Sequence, residues 1–436
     1  MGQKSLLTSL LLLGCLITIA QSISLNGTWQ FNINDNEVIQ RVVLTNKKDS
    51  VFAAFSGLPS CWYCSMYFAE SFRGSLQKSK IQFHTDEFKY EGLLKDDTHI
   101  EGAFIDKNGI SNKWTAIKEV PERKAASFVY APKVYYRHCS SFEAPTLRLI
   151  SGDTVKTSTV DAGGTDNNSK AITPGGNPLT GPFYIENAMP GDVIAINLIK
   201  VKTNRDWAFS GVWMIDQVLE ANYLTSRKYD PTSDAIDNTW LINSDSNFLK
   251  MKSPSEKLKN YRISLTPFLG CIGVAPSMGT GVFSSKSGNF GGNMEDKMMT
   301  EGTTLYLPVF TQGGYLYVGD GHAAQGDGEL TGNAMETSMD IVFSVELLRN
   351  KHISVPRVET KDFIKSIGIA SSLDQAVKIA TTDLTLWLKS EYNLSDAEAA
   401  ILMGFSVEYN IPDLVDTDIS ITAKMPKQIL KEIKRN

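Results

Sequence analysis

Short apolar–polar alternations bounded by turn residues recur from Trp29 to Leu348, and a helical period emerges only after Ser372. A chain patterned this way must bury its apolar side chains by pairing strands, because a period of two lines one face of a strand whereas a helix needs 3.6. Trp29, Phe31 and Ile33 alternate with polar residues, and short runs at 42–44, 51–55, 81–83, 100–105 and 111–116 follow. The stretches 46–49 and 106–109 read as hairpin connections; in the second, Asn108-Gly109 tolerates positive φ cheaply. The expectation is a small all-β unit over residues 22–120, a curled sheet with Trp29 and Trp114 as core anchors. The charge-rich stretch 118–124 reads as a linker.

From about residue 130 the strands lengthen and the turns become Gly-Asp and Pro-Gly. The run 145–149 precedes Ser151-Gly152-Asp153, 182–185 precedes Met189-Pro190-Gly191-Asp192, and 193–198 reads as a buried strand. Further strands are expected at 304–310, 315–318 and 341–348. Ser372 with Gln375, and Ser395 with Glu398, have capping-box spacing, and Leu373, Val377, Ala380, Leu384 and Trp387 recur near one face. Two C-terminal helices should therefore brace the sheet or a subunit interface. The fold class is mainly β.

The formal net charge of -5 and the lack of an arginine or lysine stripe argue against a nucleic-acid partner. Lys4, the apolar run 6–20 and the small residues of Thr18-Ile19-Ala20 read as a secretory signal over residues 1–20, with a secreted or periplasmic destination. Leu12-Leu13-Gly14-Cys15 offers lipid anchoring through Cys15 as a minority alternative. No later run reaches the roughly 18 apolar residues of a spanning helix. Cys61-Trp62-Tyr63-Cys64 reads as a local disulfide or packed thiols rather than a redox centre, and no second pair follows to make a zinc knuckle.

Chemistry concentrates in Asp320-Gly321-His322-Ala323-Ala324-Gln325-Gly326-Asp327-Gly328-Glu329, which follows an apolar strand. Extended backbone over 327–329 would point Asp327 and Glu329 the same way. Such acidic crowding costs repulsion unless a cation or shared proton offsets it. A divalent metal is the economical explanation, zinc before calcium given the imidazole. Metal binding would polarise an amide carbonyl and activate water, and Glu329 could pass the proton to the leaving nitrogen. The bland alternative is an acidic surface turn. A second glycine-rich turn carries Asn293, Glu295 and Asp296: the asparagine could orient an amide, either acid could reach the metal. His138 and Asp161 could complete the site from other strand ends. Cys271 reads as buried filling, and Ser284-Ser285-Lys286-Ser287 as too little to establish serine–lysine chemistry.

The blocks 145–155, 179–185, 270–276, 291–293 and above all 319–329 resemble the acetamidase/formamidase family, in order, over roughly residues 130–430. The resemblance implies a β-sandwich-like domain with smaller α/β parts, cation binding, hydrolysis of small linear amides such as formamide or acetamide, and self-association as a homodimer or larger. It carries over Asp320, His322, Asp327, Glu329 and Asn293. The chain departs from the pattern at Asn293-Met294-Glu295-Asp296, where the family more often places an aspartate at the position of Glu295. That departure and the added N-terminal unit leave a rival reading, a non-catalytic secreted small-ligand binding module that has kept the fold.

Overall fold

The computed structural model describes residues 24–433 apart from 34–37, 57–70, 85–87, 107, 121–122 and 229–234. The expected signal at 1–20, Cys15, and the Cys61/Cys64 pair lie outside the described residues. The chain divides into two units, residues 1–56 with 63–118, and 57–62 with 119–436.

In the first unit eight antiparallel strands run from Gly27–Ile33 to Ser111–Lys118, each paired with the next, and the last closes on the first to form a barrel. Closure removes the sheet edges that an isolated curled sheet would expose. Inside, Phe31 stacks on Trp114 with ring centroids 5.0 Å apart, and Phe83 and Tyr90 pack at tilted or edge angles. Both expected anchors are buried; Trp29 Nε1 donates to Leu25 O at 2.7 Å, and Trp114 Nε1 to Glu91 O at 3.2 Å. Gly92 and Gly102 make room for the Trp114 indole, since a Cβ would stand 2.6 Å from its Cζ2 in one case and 2.5 Å from its Nε1 in the other.

The second unit is a sandwich. A six-stranded sheet centres on Leu316–His322, which is antiparallel to both neighbours, Leu179–Ile185 and Phe268–Gly273. A nine-stranded sheet centres on Thr304–Pro308, Val193–Thr203 and Met339–Leu348. One hydrophobic cluster joins them: Leu179, Phe183, Leu316 and Val318 from the first sheet meet Ile194, Ile196, Leu305 and Phe343 from the second. A four-stranded sheet from Trp207–Phe209 to Ile263–Ser264 has a small core of its own around Leu249 and Ala208.

The helix Leu373–Tyr392 starts at Ser372, whose side chain accepts from Gln375 N, and ends in left-handed Asn393. It buries Ala376, Ala380, Leu384, Leu388 and Tyr392 against Ile364, Ile421 and Ala423 of the nine-stranded sheet, so the expected stripe sits slightly rotated and Leu373 is left exposed. Ser395 and Glu398 form the full capping box of the next helix, Asp396–Ser406. No helix among the described residues is long and apolar enough to cross a membrane.

Candidate metal centre

Every residue of the strand Leu316–His322 is buried, including Asp320 and His322 at its end. Residues two apart share a strand face, so Asp320 and His322 project together while Gly321 presses on Met339 and the Thr337 carbonyl. In the neighbouring strand Leu269 pairs with Gly321 and Cys271 with Gly319, which sets Gly270 abreast of Asp320. A Cβ on Gly270 would stand 2.7 Å from both Glu295 Oε1 and His322 Cε1, and 2.9 Å from Asp320 Oδ2. A methyl there would push the Glu295, His322 and Asp320 side chains out of their present positions.

Three further carboxylates arrive from separate segments. Glu295 follows the strand Gly291–Asn293, and its N–H and that of Met294 donate to Gly270 O at 3.2 and 3.1 Å. Glu336 is held by isolated bridges to His322 and Phe209. Glu329 ends a 3-10 turn over Asp327–Glu329 in which Gly328 takes φ 80°. His322 Nδ1 lies 3.3 Å from Glu295 Oε2, and Nε2 lies 3.3 Å from Asp320 Oδ1 and 3.2 Å from Glu336 Oε2. None of these five atoms makes an aligned hydrogen bond.

That combination is the test for a cation. Buried groups normally find hydrogen-bond partners, and an orphaned one costs about 1–3 kcal/mol or more when charged. Donor atoms this close that make no aligned hydrogen bond keep lone pairs a shared cation could take. Ligands about 2.0–2.2 Å from a tetrahedral zinc stand roughly 3.3–3.5 Å apart, close to the spacing around Nε2. Two sets of donor atoms within 4.8 Å of one another qualify: Glu295, His322 and Glu329, and Asp320, His322 and Glu336. The cluster fits a divalent ion.

Burial pushes the glutamates of the cluster toward their protonated forms. Burial, opposed by His322, raises Glu295 to about 8, and burial with the charge of Glu295 raises Glu329 to about 11. Burial likewise raises Glu336. Burial disfavours the imidazolium, but Glu336, Glu295 and Asp320 outweigh it and hold the His322 pKa well above its ordinary value.

Backbone strain is concentrated here. Asn177, Glu295, Asp320 and Glu329 all have positive φ, between 49° and 58°. Each such non-glycine residue costs of order 1–3 kcal/mol and persists where its surroundings over-determine it. Around this core, Asn177 Nδ2 donates to Asp320 Oδ2 and to Asn293 Oδ1, both at 3.2 Å, and Asn293 Nδ2 donates to Asp416 Oδ2 at 3.0 Å. The Asn293 carboxamide is thereby fixed with one N–H unused.

Of the residues read from sequence, the structure brings together Asp320, His322, Glu329 and Asn293, and resolves the choice in the second turn in favour of Glu295. Asp296 instead pairs with buried Lys365. Three expected residues stand elsewhere. Asp327 is exposed, ion-paired to Lys297 at 2.7 Å and bonded by Asn410 Nδ2 at 3.3 Å, because the turn at Gly328 directs it away from Glu329; the extended geometry expected for 327–329 is not found. His138 is partly exposed and meets Glu143 Oε1 at 3.2 Å. Asp161 is buried but pairs with Arg205 at 2.6 Å, whose Nη2 also donates to Glu336 O at 3.2 Å, so it adjoins the cluster through the guanidinium. Cys271 is a free, buried thiol whose pKa burial raises well above the ordinary value, as filling rather than nucleophile.

Sequence reasoning missed Glu336, Asn177 and Asp416. Glu336 carried a signal, a lone acid set between Ala334-Met335 and Met339, residues of types that bury readily. Asn177 and Asp416 had none beyond lying in turns.

Known proteins share the sequence and the fold of the unit that carries this cluster. A formamidase of Methylophilus methylotrophus is 26% identical over 253 residues, 47% of this chain and 56% of that protein. A putative formamidase of Schizosaccharomyces pombe is 25% identical over 215 residues, 39% and 52% of the two chains. The chain thus spans about half the length of the curated relatives it matches. The crystal structure of an acetamidase from Yersinia enterocolitica superposes with TM-score 0.59 at 26% identity, covering 71% of this chain and 94% of that one. A predicted acetamidase/formamidase from Thermoanaerobacter tengcongensis gives 0.57 at 25% identity, covering 71% and 98%. The Acetamidase/Formamidase family model matches residues 147–282 and 283–431, which is most of the sandwich unit and includes every member of the His322 cluster, and the chain belongs to that family.

Proposed function

We propose that the protein hydrolyses the C–N bond of small linear amides such as formamide or acetamide, giving ammonia and a carboxylic acid. The observation that carries this reading is the imidazole of His322 with buried, unsatisfied carboxylate oxygens within 3.3 Å of both ring nitrogens. His322, Asp320 and Glu336 would hold a divalent ion, leaving Glu329 free of it, and the direct imidazole ligand favours zinc over calcium. Such an ion supplies a polarised amide carbonyl and a water of lowered pKa. Glu329 stands at the rim of the cluster and is its most accessible acid, 8% exposed. With a cation offsetting the burial and the neighbouring acids that raise its pKa, it takes a proton from the attacking water and delivers one to the amide nitrogen, which leaves as neutral ammonia rather than as an anion. Asn293, fixed by Asn177 and Asp416, offers its remaining N–H to the substrate oxygen.

Ammonia release from formamide and acetamide tests the reading. Activity is expected to vanish on exhaustive chelation and to return with zinc rather than calcium; undiminished turnover in metal-free protein rejects the metal role. Tight amide binding without any ammonia release in the zinc-loaded protein would instead favour the binding-module reading. We also propose export through the segment 1–20, checked by the N-terminal residue of the mature protein. Homo-oligomerisation is the third proposal, supported by the exposure of Ile401 and Phe405 on one helix and checked by light scattering.

A further inference from the structure

A cavity of about 690 Å³ lies between the nine-stranded sheet and the C-terminal helices. It falls within the size range of small-molecule sites. Tyr306 and Trp387 form an aromatic wall, ring centroids 6.2 Å apart, and Ile353, Ile364 and Leu430 add aliphatic surface. The cavity is distinct from the His322 cluster. Ile364 packs among the helix residues on one face of its strand, while the next residue, Lys365, pairs with Asp296 beside Glu295 on the other.

Its charges are unequally matched. Arg357 stacks near Trp387, 4.9 Å from the ring centroid, and is neutralised by a two-pronged contact with Asp383 at 2.8 and 2.9 Å. Glu359 takes Lys427 at 2.6 Å and the Tyr306 hydroxyl at 2.9 Å. The remaining lining charges are Lys351, Lys431 and one acid, Glu391, and neither lysine has an ion-pair partner among the described residues. One positive charge is left over at a cavity whose wall is aromatic and aliphatic.

We propose that this cavity binds an amphipathic aromatic monocarboxylate, its ring system against Trp387 and Tyr306 and its carboxylate at Lys351 and Lys431. Aromatic walls favour flat apolar groups by offset or edge contacts, and the unmatched lysines select an anion over a neutral or cationic ligand of the same shape. The binding does not depend on the protein's being an amidase.

Calorimetric titration of the full-length protein with 1-naphthaleneacetate, 2-(1-naphthyl)ethanol and 2-(1-naphthyl)ethylamine tests it. The acid should bind saturably and about tenfold more tightly than the alcohol, with the amine weakest. Lys351→Ala combined with Lys431→Ala, both exposed and tolerant of change, should bring the acid to the affinity of the alcohol. Ile433→Trp, at the rim, should abolish saturable binding of all three. The proposal is overturned if the wild type binds none of them, if acid and alcohol bind equally, or if the preference survives loss of both lysines. It is equally overturned if binding disappears as the protein self-associates, which would assign the cavity to a second copy of the chain.

Discussion

The barrel and the sandwich both spend glycines on crowded interiors, but for opposite purposes. Gly92 and Gly102 accommodate an indole, whereas Gly270 accommodates two carboxylates and an imidazole. Backbone strain divides the same way. Described non-glycine residues with positive φ in the barrel are Lys48 and Lys78, both in tight hairpin loops where that geometry suits the strand twist. In the sandwich four of them converge on one buried cluster. Strain at a turn serves the fold; strain retained around buried charges serves something the fold alone does not need.

The sharpest way to break this contrast is through ion pairs. In the barrel Lys80 and Lys89 meet Glu91 at 3.3 and 3.1 Å at the surface, while in the sandwich Lys365 and Asp296 pair with both side chains buried. Lys365→Met strands a carboxylate in the interior and should destabilise the sandwich by about 3–5 kcal/mol, seen in thermal or urea unfolding. Adding Asp296→Leu should restore most of that loss, because the pair can be replaced by apolar groups more cheaply than it can be halved. Lys89→Met should leave the melting temperature unchanged. A mild effect of Lys365→Met would show that Asp296 finds water.

Glycine substitutions sharpen the same comparison with smaller effects. On the proposed function, Gly270→Ala should weaken divalent-metal affinity by about 100-fold and remove amide hydrolysis, because the donors must splay. Gly92→Ala should cost the barrel about 1–3 kcal/mol through displacement of Trp114 and leave zinc affinity untouched. Equal losses of zinc binding from both would mean the two units do not behave separately. Next in size, Asp416→Ala releases Asn293 and should lower kcat/KM about tenfold with little change in zinc affinity.

Legibility in the sequence followed the same divide. The barrel was readable wherever alternation was clean, as at Trp29–Phe31–Ile33, and obscure over Ser71–Gln77 and Phe88–Asp96, where glycines and charged residues interrupt the period. Closure of the barrel depends on pairing the first strand with the last, which no local pattern states. In the sandwich the strand leading to Asp320 and His322 was evident, and so was the density of donors after it. The full shell was not: Glu336 reaches His322 through an isolated bridge, and Asn177 and Asp416 lie 143 and 96 positions before and after Asp320. Residues assembled by long-range pairing leave no spacing to read.

The smallest expected effect, that of Asp327→Asn, concerns one member of a pair that sequence alone treated as equivalent. Asp327 and Glu329 are two positions apart, and an extended backbone would make them partners at the metal. Gly328, at φ 80°, turns the chain between them, sending Asp327 to Lys297 at the surface and Glu329 to the cluster. On the proposed mechanism Glu329→Gln should therefore lower kcat by about 100-fold or more, since glutamine cannot carry the proton that a leaving amide nitrogen needs. Asp327→Asn loses only an exposed ion pair, and kcat, KM and zinc affinity should each change by less than about twofold. Comparable losses in the two variants would place Asp327 at the chemistry and require the turn at Gly328 to open during turnover.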